Sequence, residues 1–252
     1  MADRPPGLAC EAMTADLVAL CVRAHDPDRL AQFWFDLLGG NVSHGDPGGP
    51  VLEPAEDPGF ELRFVATAEP KIGPNKLHFD LTSTSLEHQH GTVEKALSLG
   101  ARHVDVGQGP EEGHVVLADP ESNEFCVLEP GNRFLAGCGF IGALNCDGSQ
   151  RVGYFWSAAL GWPLVWDQDQ ETAIRSPTGG PKVTWSGPPL LPRTGPNRLS
   201  FVLAPTAGND RDAEVNRLLA EGATLVHLEE PRPGQVILAD PDGNEFSVVD
   251  RR

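Results

Sequence analysis

Apolar residues recur along the chain with two spacings, one typical of strands and one typical of helices. Residues 16–24 (DLVALCVRA) form a mostly apolar run that predicts a strand. Asp26 and Pro27 then begin a predicted helix that continues to Leu38, with its large apolar side chains on one face. This spacing indicates a helix that packs its apolar face against a sheet.

Similar patterns continue to the end of the chain and predict further strands and helices in both halves. In the first half they predict strands at 60–66, 76–81, 101–106, 114–118 and 124–128 and a helix at 85–99. Residues 44–59 are rich in Gly and Pro and are predicted to form a loop with one short strand at 51–52. In the second half they predict strands at 140–146, 163–167, 172–175, 182–186, 198–203, 224–228, 235–239 and 245–249, with helices at 149–160 and 210–221.

One stretch occurs twice with little change. Residues 117–127 (LADPESNEFCV) return as residues 238–248 (LADPDGNEFSV). Each copy is predicted to form a hairpin whose turn is built on Asp-Pro-x-x-Asn, because Pro presets one turn angle and the residue before Asn closes the turn. A repeat of this quality indicates an internal duplication.

Matching motifs outside the hairpin show that the whole chain is duplicated. Phe33-Trp34 matches Phe155-Trp156, a separation of 122 residues (156 − 34 = 122), and GPNKL at 73–77 matches GPNRL at 195–199 at the same separation. The sequence therefore predicts a flexible tail at 1–13, a first module at 14–130, a linker at 131–138 and a second module at 139–252. Each module contains two βαβββ units, and this order predicts an α+β fold in which curved mixed sheets carry helices on one outer face.

Composition restricts the partners and the compartment. The 252 residues carry a formal net charge of −17, which argues against a nucleic acid or an anionic membrane as partner. No long apolar run predicts a membrane span or a signal peptide. The five cysteines show no CxxC spacing, so we expect reduced thiols and a cytoplasmic protein.

Three of these motifs carry a resemblance to a known family. They are the segment from Asp26-Pro27 to Phe33-Trp34 and Leu38-Gly39, the strand NKLHFDL at 75–81, and the hairpin DPxxNEF in both halves. In these motifs the chain resembles the vicinal oxygen chelate superfamily, also called the glyoxalase/bleomycin-resistance/dioxygenase family. The resemblance covers nearly all of residues 16–250 and implies the βαβββ fold, whereas the activities of the superfamily range from isomerases and oxygenases to drug-binding proteins.

The resemblance also implies a divalent metal held by His and Glu on several strands. The matching positions in this chain are unsuited to that role. The first ligand falls near Ala19 or Ile141, the histidine of the middle strand falls on Lys76 and Arg198, and the final glutamate falls on Cys126 and Ser247.

Strand alternation predicts which polar side chains share the concave side of the sheets. In the first module these include Glu61, Arg63, His78, Asp80, Glu124 and Cys126, which we expect to face one cavity. Their counterparts in the second module include Trp185 and Ser200, and Trp185 is the candidate to bind a flat apolar group.

Two functions remain open from the sequence, beside a third reading in which the modules serve assembly only and side chains fill the cup. The first is a protein that binds a small, apolar or aromatic molecule in a cup between the sheets, without the usual metal and without a cofactor. The alternative is a divalent-metal-dependent lyase, isomerase or dioxygenase with a displaced site at His78 and Glu124, in which Glu61 or Cys126 could join. The expected partner is a small-molecule ligand or substrate, and both a monomer and a homodimer are compatible with the sequence.

Overall fold

The computed structural model describes residues 14–45, 48–107, 109, 112–192, 195–227 and 234–251. Four successive βαβββ units make up this part of the chain. The first two are β1 (Ala15–Ala24), α1 (Pro27–Leu38), β2 (Asn41–Gly45), β3 (Gly49–Glu53) and β4 (Glu61–Ala66), then β5 (Leu77–Leu81), α2 (Leu86–Ser98), β6 (Arg102–His103), β7 (Val115–Ala118) and β8 (Glu124–Val127). The last two are β9 (Ile141–Cys146), α3 (Gln150–Leu160), β10 (Leu164–Gln168), β11 (Glu171–Arg175) and β12 (Lys182–Trp185), then β13 (Leu199–Pro205), α4 (Arg211–Ala220), β14 (Thr224–Leu225), β15 (Gln235–Ala239) and β16 (Glu245–Val249).

The four units pair into two mixed sheets of eight strands. The first sheet has the order β14-β15-β16-β13-β1-β4-β3-β2, so it joins the first unit to the fourth. The second sheet has the order β10-β11-β12-β9-β5-β8-β7-β6, so it joins the second unit to the third. The α+β fold predicted from the sequence is confirmed, but each sheet contains one unit from each half of the chain.

Helix boundaries follow the capping residues. Asp26 accepts a hydrogen bond from Arg29 N at 3.1 Å and precedes Pro27 at the first position of α1. Ser85 accepts one from His88 N at 3.0 Å at the start of α2, and Asp210 accepts one from Ala213 N at 3.4 Å at the start of α4. The predicted helices are therefore present, with ends within a residue or two of the predicted ones.

The core lies between the helices and both sheets. Trp34 of α1 packs against Phe79 and Phe125 of the second sheet, with ring centroids 4.9 and 5.2 Å apart. Trp156 of α3 packs in the same way against Phe201 and Phe246 of the first sheet, at 4.8 and 4.9 Å. Each sheet thus has one face covered by helices and one face turned away from them, called here its open face.

The duplicated hairpin has a structural role in this core. Asp119 accepts hydrogen bonds from the backbone N–H groups of Glu121 and Asn123, from the Asn123 amide and from Trp34 Nε1. Asp240 accepts the equivalent bonds from Asp242 N, Asn244 N, the Asn244 amide and Trp156 Nε1. The Asp-Pro-x-x-Asn motif and the Phe-Trp motif therefore recur together because each turn aspartate holds the tryptophan of one helix.

The residue after the proline of each turn binds the N-terminus of the same helix. Glu121 accepts the backbone N–H groups of His25 and Asp26, and Asp242 accepts the backbone N–H and the hydroxyl of Ser149. Burial opposes ionisation of Glu121, but the hydrogen bonds from His25 and Asp26 outweigh it and hold the pKa below its ordinary value. The positive end of the helix dipole also stabilises a carboxylate beside the helix N-terminus.

One predicted loop is folded differently. The segment 44–59 was expected to contain one short strand at 51–52, but it contributes the end of β2 and all of β3 to an antiparallel hairpin. Gly49 is required at this hairpin because its φ is +94° and the carbonyl oxygen of Phe64 lies 2.4 Å from where a Cβ would be. The predicted tail at 1–13 and part of the predicted strand 224–228 lie outside the described residues. No helix in the described ranges is long and apolar enough to cross a membrane.

Candidate functional site

Two rows of side chains cross the open face of the second sheet. Register pairs Trp166 with Ala173, Ala173 with Thr184, Thr184 with Asn145 and Asn145 with His78. The second row runs through Arg175, Lys182, Ala143, Asp80, Cys126 and Val116. Alternation of side chains along each strand places both rows on this face, while Phe79, Phe125 and Leu144 point into the core.

His78, Asp80 and Cys126 form a compact group on this face. Their ligand atoms all lie within 4.8 Å of one another, and His78 Nε2 lies 3.4 Å from Asp80 Oδ1. The side chains of His78 and Asp80 are 28% and 12% exposed, so the group is partly shielded but still reachable from solvent. Imidazole, carboxylate and thiol together are chemically suited to bind a metal ion or a polar ligand.

Asn145 positions the carboxylate of this group. Its Nδ2 donates to Asp80 Oδ2 at 3.4 Å, and its Oδ1 accepts from Ser186 Oγ at 2.9 Å. The bond from Ser186 fixes which end of the amide faces Asp80. The other carboxylate oxygen, Oδ1, therefore points to His78.

Burial and the neighbouring Asp80 keep Cys126 in its neutral thiol form. Burial raises the pKa of the Cys126 thiol, and the charge and the hydrogen bond of Asp80 raise that pKa further. None of Cys21, Cys126, Cys138 and Cys146 forms a disulfide. The expectation of reduced thiols stays a prediction.

Glu124 has a different partner from the one that a metal site requires. Its Oε1 accepts from Lys71 Nζ at 2.7 Å, and its Oε2 accepts the backbone N–H of Asn75 at 3.1 Å. Both oxygens of the carboxylate therefore hold the segment that leads into β5. The proposed pair of ligands His78 and Glu124 stays a prediction, but the geometry favours Asp80 and Cys126 beside His78.

The other end of the same face is aromatic. Trp166 is half-buried, and its ring lies 5.8 Å from that of Phe134 in an edge-to-face arrangement. Lys182 Nζ lies 4.0 Å from the Phe134 centroid and donates to the Phe134 carbonyl at 2.5 Å. Burial lowers the pKa of Lys182, although Cys138 opposes this effect. Sequence reasoning missed Trp166, although alternation within the predicted strand 163–167 could have placed it.

The open face of the first sheet has a different set of side chains at equivalent positions. Arg63 and Glu61 form an ion pair there, in which Arg63 Nε lies 2.7 Å from Glu61 Oε1. Register pairs Cys21 with both Arg63 and Ser200. This face therefore combines a closed ion pair with two small polar side chains.

The predicted single cavity of the first module is wrong. Glu61 and Arg63 lie in the first sheet together with Ser200, whereas His78, Asp80, Glu124 and Cys126 lie in the second. The division arises because β5 pairs with β9 of the other half rather than with a strand of its own first unit. Strand alternation gives the face of a residue but not the sheet to which the strand belongs.

Trp185 was placed on the wrong face. It is 1% exposed and pairs with Cys146 in the core, so it is not available to a ligand on the open face. With the repeat offset of 122, Trp185 is the counterpart of Arg63. In the structure, however, Arg63 pairs with Cys21, and the residue that pairs with Asn145, the counterpart of Cys21, is Thr184. The correct offset for this strand is therefore 121 (184 − 63 = 121). A shift of one residue moves a side chain to the other face of a strand.

The ligand positions implied by the superfamily do not fit a metal in this chain. Lys76 Nζ donates to Asp147 Oδ2 and to the Leu191 carbonyl, both at 2.9 Å. Arg198 donates in the same way to the carbonyls of Arg23 and Glu69, at 3.1 and 3.0 Å. These two cations join the two halves of the chain, and both lie where the superfamily pattern has a histidine.

Comparison with known proteins gives a clear family assignment. The family described as "Glyoxalase-like domain" matches residues 19–128 and 142–249. Glyoxalase I from Zea mays has a TM-score of 0.65 and 15% identity over 94% of this chain and 93% of that chain. A "putative dioxygenase" from Bacillus subtilis subsp. subtilis str. 168 has a TM-score of 0.55 and 12% identity over 94% and 86%. No curated protein sequence matches the chain. At such identities the similar structures show a shared fold only.

Proposed function

Because the chain belongs to the glyoxalase-like domain family, we propose that it binds a small molecule on the open face of its second sheet. The observation that carries the proposal is the group of His78, Asp80 and Cys126, whose ligand atoms lie within 4.8 Å of one another on a partly exposed surface. Binding sites commonly combine a few convergent polar groups with apolar walls.

The polar end of this face determines what the ligand must carry. His78, Asp80 and Asn145 offer both donors and acceptors within one row and its neighbour. A ligand with a hydroxyl, a carbonyl or an amino group can therefore form hydrogen bonds with these side chains. Partly buried polar groups of this kind favour ligands that satisfy their hydrogen bonds.

The aromatic end determines the rest of the ligand. Trp166 lies four strands from His78, which is roughly 19 Å along a sheet with strands about 4.8 Å apart. Ala173 and Thr184 lie between them, are small, and are only 0% and 9% exposed, so the ligand contacts mainly the two ends of the row. The proposed ligand is therefore a flat apolar or aromatic molecule with a polar group at one end, in agreement with the ligand class expected from the sequence.

Tryptophan fluorescence tests this proposal directly. A screen of aromatic metabolites and antibiotics should give saturable quenching in the wild type, because Trp166 is half-buried on this face while Trp34, Trp156 and Trp185 are buried in the core. Trp166→Phe should remove the response. His78→Ala should weaken binding of the same compound at least tenfold.

The matched control is Trp162→Phe. Trp162 is partly buried and packs against the core rather than on the open face, so Trp162→Phe should leave the response unchanged. A response that disappears in Trp162→Phe and persists in Trp166→Phe would contradict the proposal. So would a screen in which no compound changes the fluorescence.

A second candidate is a divalent-metal-dependent lyase, isomerase or dioxygenase. The observation that favours it is the mixed His, Asp and Cys group, since such residues bind transition metals. The test is turnover of compounds with two neighbouring oxygen atoms, measured before and after chelator treatment. Activity that survives both chelation and His78→Ala would exclude this candidate.

A further inference from the structure

We infer that Arg175 and Lys182 bind the carboxylate of an aromatic acid at the aromatic end of the open face of the second sheet. This inference rests on the proposed function for the placement of the ligand on that face, and it adds the chemical class of the ligand. Register places Arg175 of β11 directly opposite Lys182 of β12. Side chains at such positions have Cβ atoms about 4.5–5.5 Å apart, so two like charges there repel each other.

Neither cation forms an ion pair with a carboxylate in the part of the chain that the structure describes. Lys182 Nζ donates to the Phe134 carbonyl at 2.5 Å. Arg175 donates to the carbonyls of Gly180 and Gly137 at 3.0 and 2.6 Å. These acceptors carry no net charge. Because the chain has 36 acidic residues against 19 Lys and Arg residues, a pair of cations without an acid needs a physical cause.

The first sheet neutralises the charge at the corresponding position. Glu61 of β4 occupies the position of Lys182, since each of them pairs with an alanine of the neighbouring strand. Arg63, two residues after Glu61, closes an ion pair with it. The residue two positions after Lys182 is Thr184, which has no charge. The first sheet therefore supplies the opposite charge from its own strand, whereas the second sheet leaves that role to a bound anion.

Asp80 lies on the same row but is too distant to neutralise Lys182. Lys182 pairs with Ala143 and Ala143 with Asp80, so the two side chains are separated by two strand spacings, roughly 10 Å. The carboxylate of Asp80 is also turned towards Asn145 and His78. This separation suits a ligand that has a carboxylate at one end and a hydrogen-bonding group at the other.

Arg175 and Lys182 keep donors for an added anion. Both side chains have more N–H groups than the described carbonyls accept, and both residues are partly exposed. Burial lowers the pKa of Lys182, and the positive charge of Arg175 also lowers it, while Cys138 opposes these effects. A carboxylate bound between the two cations would relieve their repulsion, and the planar guanidinium of Arg175 matches its two oxygens.

Aromatic side chains flank the two cations. Trp166 lies beside Ala173, which precedes Arg175 by one side-chain repeat on β11. The ring centroid of Phe134 lies 5.8 Å from that of Trp166 and 4.0 Å from Lys182 Nζ. An aromatic ring attached to the carboxylate can therefore pack on Trp166 and Phe134. These contacts favour an aromatic acid over a small inorganic anion.

Two probes that differ in charge test the site, 6-hydroxy-2-naphthoate and its uncharged amide, 6-hydroxy-2-naphthamide. In calorimetric titrations the wild type should bind the acid at least about tenfold more tightly than the amide, because charge-assisted hydrogen bonds are the stronger ones. Lys182→Gln and Arg175→Gln should each remove most of this preference while the affinity for the amide stays unchanged. Unchanged amide binding also shows that the variants fold. Lys182→Arg keeps the charge and should keep the preference.

The matched control is Arg29→Gln, which removes an exposed cation from α1 and changes the net charge by the same amount. It should leave both affinities unchanged. Equal affinities of the wild type for the acid and the amide would overturn the carboxylate site. So would a preference for the acid that persists in both Lys182→Gln and Arg175→Gln, or the absence of binding by either probe.

The results also separate this inference from the proposed function. Equal binding of both probes that is weakened by Trp166→Phe and His78→Ala would remove the carboxylate site alone. A preference for the acid that depends on Lys182 and Arg175, with binding that is unaffected by Trp166→Phe and His78→Ala, would support the carboxylate site and contradict the proposed function.

Discussion

The two open faces have the same backbone and different chemistry. In the second sheet His78, Asp80 and Cys126 converge, whereas in the first sheet their positions hold Ser200, Val202 and Ser247. On the helix-covered faces the two halves are much more alike, since Asp119 holds Trp34 as Asp240 holds Trp156. The duplicated sequence has therefore kept the buried hydrogen bonds and varied the surface, as expected when scaffold and site are separable.

The largest effect on stability is expected at the turn aspartates Asp119 and Asp240, which the two halves share. Asp119→Ala and Asp240→Ala should each lower the free energy of unfolding by about 3–5 kcal/mol, because each leaves several buried donors without an acceptor. Urea denaturation measures both. The control is Asp57→Ala, which removes an exposed acceptor of Gly59 N and should change stability by less than about 1 kcal/mol. Unequal losses of unfolding free energy in the two variants would show that the two hairpins do not contribute equally to stability.

The pH dependence of stability tests the same two aspartates. Burial raises the pKa of Asp119 to about 6 in spite of its hydrogen bonds, from an ordinary value of 3.8, and raises the pKa of Asp240 as well. Between those pH values the folded protein binds more protons than the unfolded chain, so stability falls as pH rises from about 4 to about 6. The Asp119 contribution is about 3 kcal/mol.

Asp119→Asn removes this titration and checks the assignment. The difference in unfolding free energy between wild type and Asp119→Asn should change between pH 4 and pH 7, with the wild type losing relative stability as the pH rises. Denaturant titrations at four or five pH values would measure it. Parallel curves for the two proteins would contradict the raised pKa.

Two helix glycines should respond oppositely to alanine. A Cβ at Gly153 of α3 would lie 1.9 Å from Thr172 Oγ1, so Gly153→Ala should destabilise by about 1–3 kcal/mol. Gly91 of α2 has nothing within 4 Å of that position, and Gly91→Ala should stabilise by about 0.5–1 kcal/mol. Thermal unfolding distinguishes the two signs. A neutral Gly153→Ala would mean that α3 can move away from β11.

The smallest effect is expected at the ion pair of the first sheet. Arg63 and Glu61 have side chains 31% and 28% exposed, so Glu61→Gln should change stability by less than about 1 kcal/mol. It should also leave small-molecule binding on the second sheet unchanged. An altered affinity for a ligand on the second sheet would show that the two open faces are coupled and do not act independently.

Local patterns predicted most of the secondary structure and the family. Asp26-Pro27 begins α1, Ser85 caps α2, and the duplicated hairpin appears twice as predicted. The βαβββ order and the glyoxalase-like family are confirmed. Both could be predicted because the motifs that indicate them are short, continuous stretches of sequence. The module boundaries at 130 and 139 stay predictions.

The candidate site was predicted in part. His78, Asp80 and Cys126 were correctly assigned to one face, because alternation within β5 and β8 determines it. Trp185 was assigned to the wrong face, since one residue of offset between the repeats reverses a strand. Trp166 was not predicted, and Glu124 as a ligand stays a prediction, because strand alternation does not show that its carboxylate accepts hydrogen bonds from Lys71 and Asn75.

The sequence by itself determined the order of the four βαβββ units, the two duplicated turns and the shared face of His78, Asp80 and Cys126 on β5 and β8. Local spacing, capping and turn chemistry are sufficient for these features. Only the tertiary structure decided that the first unit pairs with the fourth and the second with the third. Strand pairing joins residues far apart in the chain, so the grouping of Glu61 with Ser200, and of His78 with Asn145, depends on contacts that no local pattern contains.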